Sequence, residues 1–334
     1  MQRVPQLRWA VLPSGAPPFF CEETTGLSGI WTDMDATAEV PIPPHDAALT
    51  PSALITIDYI DPPEAIAPFV TTLYHFRCDE PVIRDIQPAA IGQICLFPHG
   101  TGEIRFANGH CDPNHPVGLL TPLSRATPIV VDGPFHAFGA ALTPLGWAAL
   151  TGLHAGQHRD RLLPAASVLG AEFGALGESL LGAYRNGAMS GPACAGAVGD
   201  FIGHNLRPVN PRHLDLIIAV GGWLGASFNP DIGDLAGVAG YSARQVQRLV
   251  ERYFGLPPRA LARKYRALRA AALLSGPHLA PEDEAAIAEA FFDQSHMIRE
   301  ITHFVGRSPA RLSDTATPYL AELIDSRNLR ELRN

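Results

Sequence analysis

The densest group of residues suited to chemistry lies in the stretch GYSARQVQRLVERYFGLPP, residues 240–258. Arg244, Gln247 and Arg248 recur here at spacings of three and four, which would place them on one face of a helix. Arginine can form a bidentate pair with guanine, and glutamine with adenine, in the major groove of DNA. The stretch therefore predicts a helix whose exposed face contacts bases.

This helix has its own start and stop signals. Ser242 is a favourable N-cap, and Gln245 three residues later completes a capping box. Gly240 supplies the positive φ that a tight turn between helices needs, and Gly255 ends the helix. A short helix is expected over residues 231–240. The positions that would pack inward at i, i+3, i+4 and i+7 are Val246, Leu249, Val250 and Tyr253. Together these features predict a helix-turn-helix unit.

Much of the pattern returns 51 residues later, in FFDQSHMIREITHFVGRSP at residues 291–309. Asp293 takes the place of Ser242, and both are N-cap residue types. Gly306 takes the place of Gly255, and the apolar positions between them are kept. Two copies of one unit suit two successive major-groove contacts on one face of DNA, about 34 Å apart.

Charge is unevenly distributed along the 334 residues, whose formal net charge is −8. Residues 1–230 hold 11 arginines and no lysine against 20 acidic residues. Residues 241–270 hold eight basic residues and one acid. An acidic body with one basic block is the electrostatic footprint of a polyanion-binding protein. A solvated helix face is the alternative interpretation of such a charge run.

The first half of the chain is rich in short β-type runs. Between about residues 53 and 145, these runs are separated by Pro, Gly, Asn and Asp. They read ALITIDYI, PFVTTLYHFRC, IGQICLFPHG, GEIRFANG, PIVVDG and FHAFGAALT. Regular short strands of this kind predict a sandwich or barrel-like domain. Beyond about residue 145 the pattern becomes helical, and Asn210 with Pro211 is a suitable N-cap and first-turn pair.

The predicted fold class is α+β, with an N-terminal β-rich sandwich or barrel-like domain and an all-α domain that holds two helix-turn-helix units. The predicted segments are a β-rich domain at 1–186, a linker at 187–210, a DNA-binding domain at 211–313 and a tail helix at 314–334.

In these motifs the chain resembles the AraC family of bacterial transcription regulators. Ala-x-x-x-Gly-Tyr-Ser-x-Arg-x-x-x-Arg, from Ala236, is similar to the family's first helix-turn-helix unit. The run that begins at Asp293, followed by Gly-Arg-Ser-Pro at 306–309, is similar to its second. A long helix from Pro258 to Leu274 would connect the two units. The resemblance covers roughly residues 211–313.

The resemblance implies a sequence-specific DNA-binding transcription regulator that is not an enzyme and needs no cofactor. Its implied partners are double-stranded DNA, RNA polymerase and a second copy in a homodimer. The N-terminal part resembles an uncharacterised β-rich domain that precedes this DNA-binding domain in some family members. That likeness implies a role in sensing a small-molecule effector, in dimerisation or in partner binding.

The expected DNA-binding residues are those on or beside the two recognition helices. They are Ala243, Arg244, Gln247, Arg248, Arg252, Arg263 and Lys264 with the first helix, and Gln294, Ser295, His296 and Arg299 with the second. Base contacts are expected chiefly from Arg244, Gln247 and Arg248. Phosphate contacts are expected from Arg252, Arg263 and Lys264.

The second unit departs from the family's pattern in two ways. Phe291 stands where the family usually has glycine, at a position that favours positive φ. The unit is also acidic, because it holds Glu282, Asp283, Glu284, Glu289, Asp293 and Glu300. Acidic side chains near phosphates oppose binding. The first unit is therefore predicted to contribute most of the affinity for DNA.

Two other functional classes stay open at this stage. A metal-dependent β-barrel enzyme could draw ligands from Cys95, His99, His110, Cys111, His115 and His136. Among these candidates no HxH or HxxxH pair supports such a site, and the sequence has no GxSxG or phosphate-loop motif. Neither a metal nor catalysis is therefore predicted. An interaction protein with weakened DNA binding is the other alternative.

Location is predicted from two features of the sequence. The N-terminal stretch lacks a long apolar run and is broken by prolines, and no stretch predicts a membrane span. The five cysteines are an odd number without a CxxC pair, which predicts reduced thiols. A cytoplasmic protein is expected.

Overall fold

The computed structural model describes residues 49–276 and 278–312. The strands are β1 (Ile55–Ile60), β2 (Val70–Cys78), β3 (Val82–Gln87), β4 (Gln93–Arg105), β5 (Cys111–Pro113), β6 (Val117–Leu120), β7 (Thr127–Leu142) and β8 (Leu162–Pro164). The helices are α1 (Pro144–Thr151), α2 (Ala155–His158), α3 (Ala166–Leu169), α4 (Ala171–Arg185), α5 (Gly191–Asn205), α6 (Pro211–Ala226), α7 (Ala243–Phe254), α8 (Pro258–Ser275), α9 (Pro281–Ala290) and α10 (Gln294–Val305). Cys21 and the predicted tail helix lie outside the described residues.

The described strands form one antiparallel sheet. Its order is β1-β2-β7-β4-β6-β8, with β3 paired to β7 and β5 paired to β4. The 16-residue strand β7 is central, because it pairs with β3 through residues 127–132 and with β2 through residues 135–142. Strand β4 lies along its other edge. The sheet followed by helices confirms the α+β fold class.

The predicted strands need correction in two respects. Runs that were predicted to be separate are joined, since β4 and β7 each continue through glycine and proline residues that had suggested turns. The pairing of β4 with β7 instead shifts register between Leu96 and Thr101, as at a bulge. Strand β3 was not predicted, because charged residues at two of its six positions weaken the β signal of VIRDIQ.

The segment predicted as a linker, residues 187–210, is largely the helix α5. Its side chains Cys194, Val198 and Ile202 are fully buried in the core of the β-rich domain. Small residues suggested a linker, but here they allow close packing against the sheet. A Cβ atom at Gly191 would collide with the ring of His75. The β-rich domain therefore includes α5.

The helical domain largely follows its predicted caps. The Asn210 side chain accepts a hydrogen bond from the backbone N of Arg212 at 3.0 Å, at the start of α6. Gly240 has φ of 71° at the predicted turn. The segment before it is not an α-helix, however, but two 3₁₀ turns at Ile232–Leu235 and Val238–Gly240. Glycines in this segment explain the difference, because glycine disfavours a regular helix.

Phe291 does not have the positive φ that the family's pattern suggested. Its φ is −119°, and its side chain is buried against the guanidinium of Arg266, whose Cζ is 5.1 Å from the ring centroid. An extended backbone here accepts any residue type, so phenylalanine adds buried apolar surface without strain. None of the helices in the described part of the chain combines the length and hydropathy that a membrane crossing requires.

Candidate nucleic-acid interface

Helix α7 presents a basic exposed face. Arg244, Arg248 and Arg252 are exposed at successive spacings of four, while Ala243 and Gln247 are half-buried beside them. The predicted inward stripe is confirmed, since Val246, Leu249, Val250 and Tyr253 are all buried. Four-residue spacing places the three guanidinium groups along one line of the helix surface. That surface can meet both base edges and phosphates.

Local hydrogen bonds fix the start of this helix. The predicted capping box is present: the backbone N of Ser242 donates to Gln245 Oε1 at 2.9 Å, and the backbone N of Gln245 donates to Ser242 Oγ at 3.4 Å. Gly255 ends the helix with φ of 85°. These caps satisfy backbone groups at the N-terminal end of the helix, so the side chain of Arg244 projects from an ordered backbone.

A histidine of α6 forms a hydrogen bond with α7. His213 Nδ1 lies 2.6 Å from the hydroxyl of Tyr253. Burial, with added repulsion from Arg252 and Arg212, lowers the pKa of His213 below its usual range. Burial and the two arginines therefore favour the neutral imidazole.

Helix α10 presents a different surface. Gln294, Ser295 and Arg299 are exposed as predicted, but the same surface carries Phe292, which is 92% exposed, and Ile298. The Asp293 side chain caps α10 by accepting from the backbone N of His296 at 2.7 Å. Helix α10 therefore offers one exposed guanidinium, that of Arg299, among polar and apolar side chains.

Glu300 is buried, although it was predicted to be one of the acidic residues that oppose phosphate binding. It is only 2% exposed, and it accepts from Arg263 Nε at 2.7 Å and from Arg266 Nη2 at 2.6 Å. His296 Nε2 lies 3.2 Å from the same carboxylate. Glu300 is therefore not a surface acid that opposes phosphates, and Arg263 is engaged in holding α8 to α10.

Lys264 also departs from its prediction as a phosphate contact. It is 2% exposed, and its ammonium donates to the backbone oxygens of Ala90 at 3.2 Å and Leu123 at 3.4 Å. Both acceptors belong to loops of the β-rich domain. The lysine thus lies in the contact between the two domains and not on the exposed surface.

Further contacts place the end of α10 against the β-rich domain. The backbone N of Ala89 donates to the oxygen of Phe304 at 2.8 Å, and that of Ala126 donates to His303 at 3.0 Å. Carbonyls in the last turn of a helix have no partner within the helix, so these bonds satisfy two of them. Beyond the helix, Arg307 Nη2 donates to Asp85 Oδ1 of β3.

Helix α7 contacts the β-rich domain near its C-terminal end. A Cβ atom at Gly156 of α2 would meet Glu251, and Arg159 Nη1 lies 3.7 Å from Glu251 Oε1. Gly255 faces Pro122. The arginine face of α7 stays exposed while both helix-turn-helix units are docked.

A chain of hydrogen bonds crosses the face of the sheet that packs against α4. His75 Nδ1 lies 3.2 Å from Asp58 Oδ2, and its Nε2 lies 3.0 Å from the hydroxyl of Tyr184. The same hydroxyl lies 2.8 Å from His136 Nδ1, and His136 Nε2 lies 2.8 Å from Asp79 Oδ1. Tyr184 thus links two carboxylate–histidine pairs and joins α4 to the strands.

The residues that raised the metal alternative are not brought together as ligands. The rings of His99 and His136 are adjacent, with centroids 4.9 Å apart, whereas Cys95 lines the opposite side of the sheet. Burial is the largest cause that lowers the pKa of His99. Within residues 49–276 and 278–312, no three His, Cys, Asp or Glu side chains are grouped as a metal site would require.

Sequence reasoning missed three buried charges of the helical domain, which are Lys264, Glu300 and Arg307. One signal was present for Lys264, because it lies three residues after Leu261 and next to Tyr265, on the buried side of α8. Glu300 falls at the position that corresponds to Leu249 in the repeat, which is a core position. Arg307 offered no comparable pattern.

Comparison with known proteins places this geometry in a recognised domain type. Residues 235–314 match a family described as a helix-turn-helix domain, in its AraC-type form. The match does not extend into the β-rich domain. The chain has no significant match among curated proteins or solved structures.

Proposed function

From the AraC-type helix-turn-helix domain at residues 235–314, we propose that the protein is a sequence-specific DNA-binding transcription regulator in which α7 is the main reading helix. The observation that carries the proposal is the exposed line of Arg244, Arg248 and Arg252 on a helix with a complete capping box. Arg244, Gln247 and Arg248 contact bases, and Arg252 contacts a phosphate. Helix α10 makes the second, weaker contact through Gln294, Ser295 and Arg299.

The β-rich domain controls how the reading helices are presented. Support comes from its contacts with both units, through Lys264 and Arg307 on one side and through α2 and Glu251 on the other. In the full proposal this domain senses an effector or dimerises the protein, so that two copies present their domains to two half-sites. The protein acts in the cytoplasm, with RNA polymerase as its partner at the promoter.

The test is fluorescence anisotropy with the DNA upstream of the protein's own gene, at two salt concentrations. Wild type is compared with Arg248→Ala and with Arg105→Ala, which removes an exposed arginine from the β-rich domain. We expect Arg248→Ala to weaken binding by about 1–3 kcal/mol and to lower the salt dependence, because a cation at the interface is lost. Arg105→Ala should bind as wild type does.

Salt-sensitive binding that depends on Arg248 would support the regulator. Binding that ignores Arg248, or none at either salt concentration, would overturn α7 as the reading helix. In that case the exposed Phe292 and Ile298 of the second unit would favour an interaction protein.

A further inference from the structure

The sheet encloses a cavity of about 110 Å³ on the side away from the histidines. Its walls are mainly apolar, and aromatic rings are prominent among them. The aromatic lining residues are Tyr59, Tyr74, Phe76, Phe97 and Phe135. A mainly apolar cavity with a few polar groups has the general character of a small-molecule site.

The charged groups of this cavity have one sign. Among its lining residues only Asp85 and Glu103 carry a charge, and no lysine, arginine or histidine lines it. Asp85 lies between Ile83 and Gln87 on β3, and this alternation directs all three side chains to the cavity. The surroundings therefore favour a neutral or cationic occupant and oppose an anion.

Asp85 retains an unused acceptor. It is 5% exposed, and its Oδ1 accepts from the backbone N of Ile86 at 2.7 Å and from Arg307 Nη2. Its Oδ2 accepts no hydrogen bond from the described residues. Burial raises the pKa of Asp85, while Arg307 acts against that shift. A buried carboxylate with a free oxygen is stabilised by a second cation.

We propose that this cavity binds a small alkyl amine, whose ammonium pairs with Asp85 Oδ2 and whose apolar part packs among the aromatic rings. Aromatic faces attract cations, so the walls suit the ammonium as well as the alkyl group. A cavity of about 150 Å³ can hold benzene, so 110 Å³ suits an occupant of about five or six non-hydrogen atoms.

The amine site is connected to the second helix-turn-helix unit through Arg307. This residue directly follows Gly306, which ends α10 with φ of 84° and at which a Cβ atom would collide with Ile86. Arg307 is 4% exposed, and its Nε and Nη1 have no hydrogen-bond partner among the described residues, so Asp85 is its main attachment. A cation on Oδ2 weakens that attachment, and by linkage Arg307 weakens amine binding equally. This coupling to DNA rests on the proposed function, whereas the amine site itself does not.

The first experiment compares isobutylamine, isobutanol and isobutyrate by calorimetry on the full chain without DNA. The three probes are similar in size and differ in charge. We expect isobutylamine to bind about tenfold more tightly than isobutanol, because a charged hydrogen bond is added, and isobutyrate not to bind. Equal affinity for all three probes, or a preference for isobutyrate, would overturn the site.

Two variants test the roles of the ion pair. Arg307→Met removes the competing cation and should tighten isobutylamine binding about fivefold or more. The double variant Asp85→Asn/Arg307→Met leaves no buried charge unpaired, which preserves folding better than Asp85→Asn alone, and it should lose the preference for the amine. A double variant that still prefers isobutylamine would show that Asp85 is not the anchor.

The coupling is then measured by anisotropy with DNA. Isobutylamine should change the affinity of wild type for DNA and leave that of the double variant unchanged. If the amine binds but wild-type affinity for DNA does not change, the coupling is overturned and the site stands. A chain that binds the amine but no DNA would contradict the regulator and leave the cavity assignment intact.

Discussion

The two helix-turn-helix units share one pattern of apolar positions but differ in where their charges lie. In the first unit the core position 249 is leucine, and the arginines of α7 face solvent. In the second unit the matching position is Glu300, which is buried and paired with Arg263 and Arg266 of α8. The second unit is also bound at its end to the β-rich domain, through Arg307 and two backbone hydrogen bonds.

The difference shows that a repeated supersecondary unit need not repeat its function. Apolar spacing and caps determine that both helices form, while a single charged core position redirects neighbouring arginines. Arg263, which was predicted to contact a phosphate, instead joins Arg266 in holding α8 to α10 through Glu300. In the proposed regulator the first unit reads DNA, and the second transmits the state of the β-rich domain.

The largest expected effect lies in the buried charge cluster. Glu300→Ala should lower the free energy of unfolding by about 3–5 kcal/mol, because Arg266 would be left buried without its anion. Glu251→Ala is the control from the first unit, and it should cost less than about 1 kcal/mol because its pair with Arg159 is partly exposed. Denaturant unfolding measures both. A similar cost for the two would remove the contrast between the units.

The next largest effect is expected from Lys264, in the contact between the two domains. Lys264→Met should lower the free energy of unfolding by about 1–3 kcal/mol, because two backbone oxygens lose a charged donor. It should leave the salt dependence of DNA binding unchanged, since the ammonium is buried. A salt slope reduced by about one would instead restore Lys264 as a phosphate contact. Arg252→Met, from the exposed face of α7, is the control for that slope.

The two recognition helices can be compared directly in DNA binding. Arg248→Ala should weaken binding by about 1–3 kcal/mol and relax the preference for one base pair. Arg299→Ala should weaken it by less than about 1 kcal/mol, because α10 presents little other basic surface. Anisotropy on a set of single-base operator variants measures affinity and preference together. Equal losses would mean that both helices read bases to the same extent.

The smallest effect is a pH dependence at the contact between α6 and the first unit. The pKa of His213 in the folded chain lies below its unfolded value of about 6.5, so the unfolded chain binds more protons as the pH falls. Its contribution to stability is thus present above pH about 6.5 and is lost below it. His213→Gln should lose less stability than wild type between pH 7 and pH 5, by a fraction of a kcal/mol. His204→Gln, at an exposed position of α5, is the control in thermal unfolding.

Much of the helical domain could be predicted because its signals are local. The start of α7 at Ser242 and the start of α10 at Asp293 depend on caps a few residues long, and both were found in the sequence. The exposed face of α7 followed from the same spacing. The α+β class followed from the change in periodicity near residue 145.

The features that were not predicted depend on contacts between distant parts of the chain. Helix α5 was predicted to be a linker because it is rich in small residues. These residues allow it to pack closely on the sheet, and no local spacing shows which surface a helix contacts. The burial of Glu300 could not be predicted from its charge, since it requires two arginines from α8. Asp85 and Arg307 are 222 residues apart in sequence, and only the fold brings them together.

The two backbone hydrogen bonds that join the domains also allow domain docking to be measured in the native protein. The amide hydrogens of Ala89 and Ala126 are held by the last turn of α10. They exchange with deuterium only when that contact opens, so their protection factors measure the free energy of undocking directly. Hydrogen–deuterium exchange, followed by mass spectrometry or NMR, can thus report separation of the domains as DNA or an amine is added. No probe has to be attached to the protein.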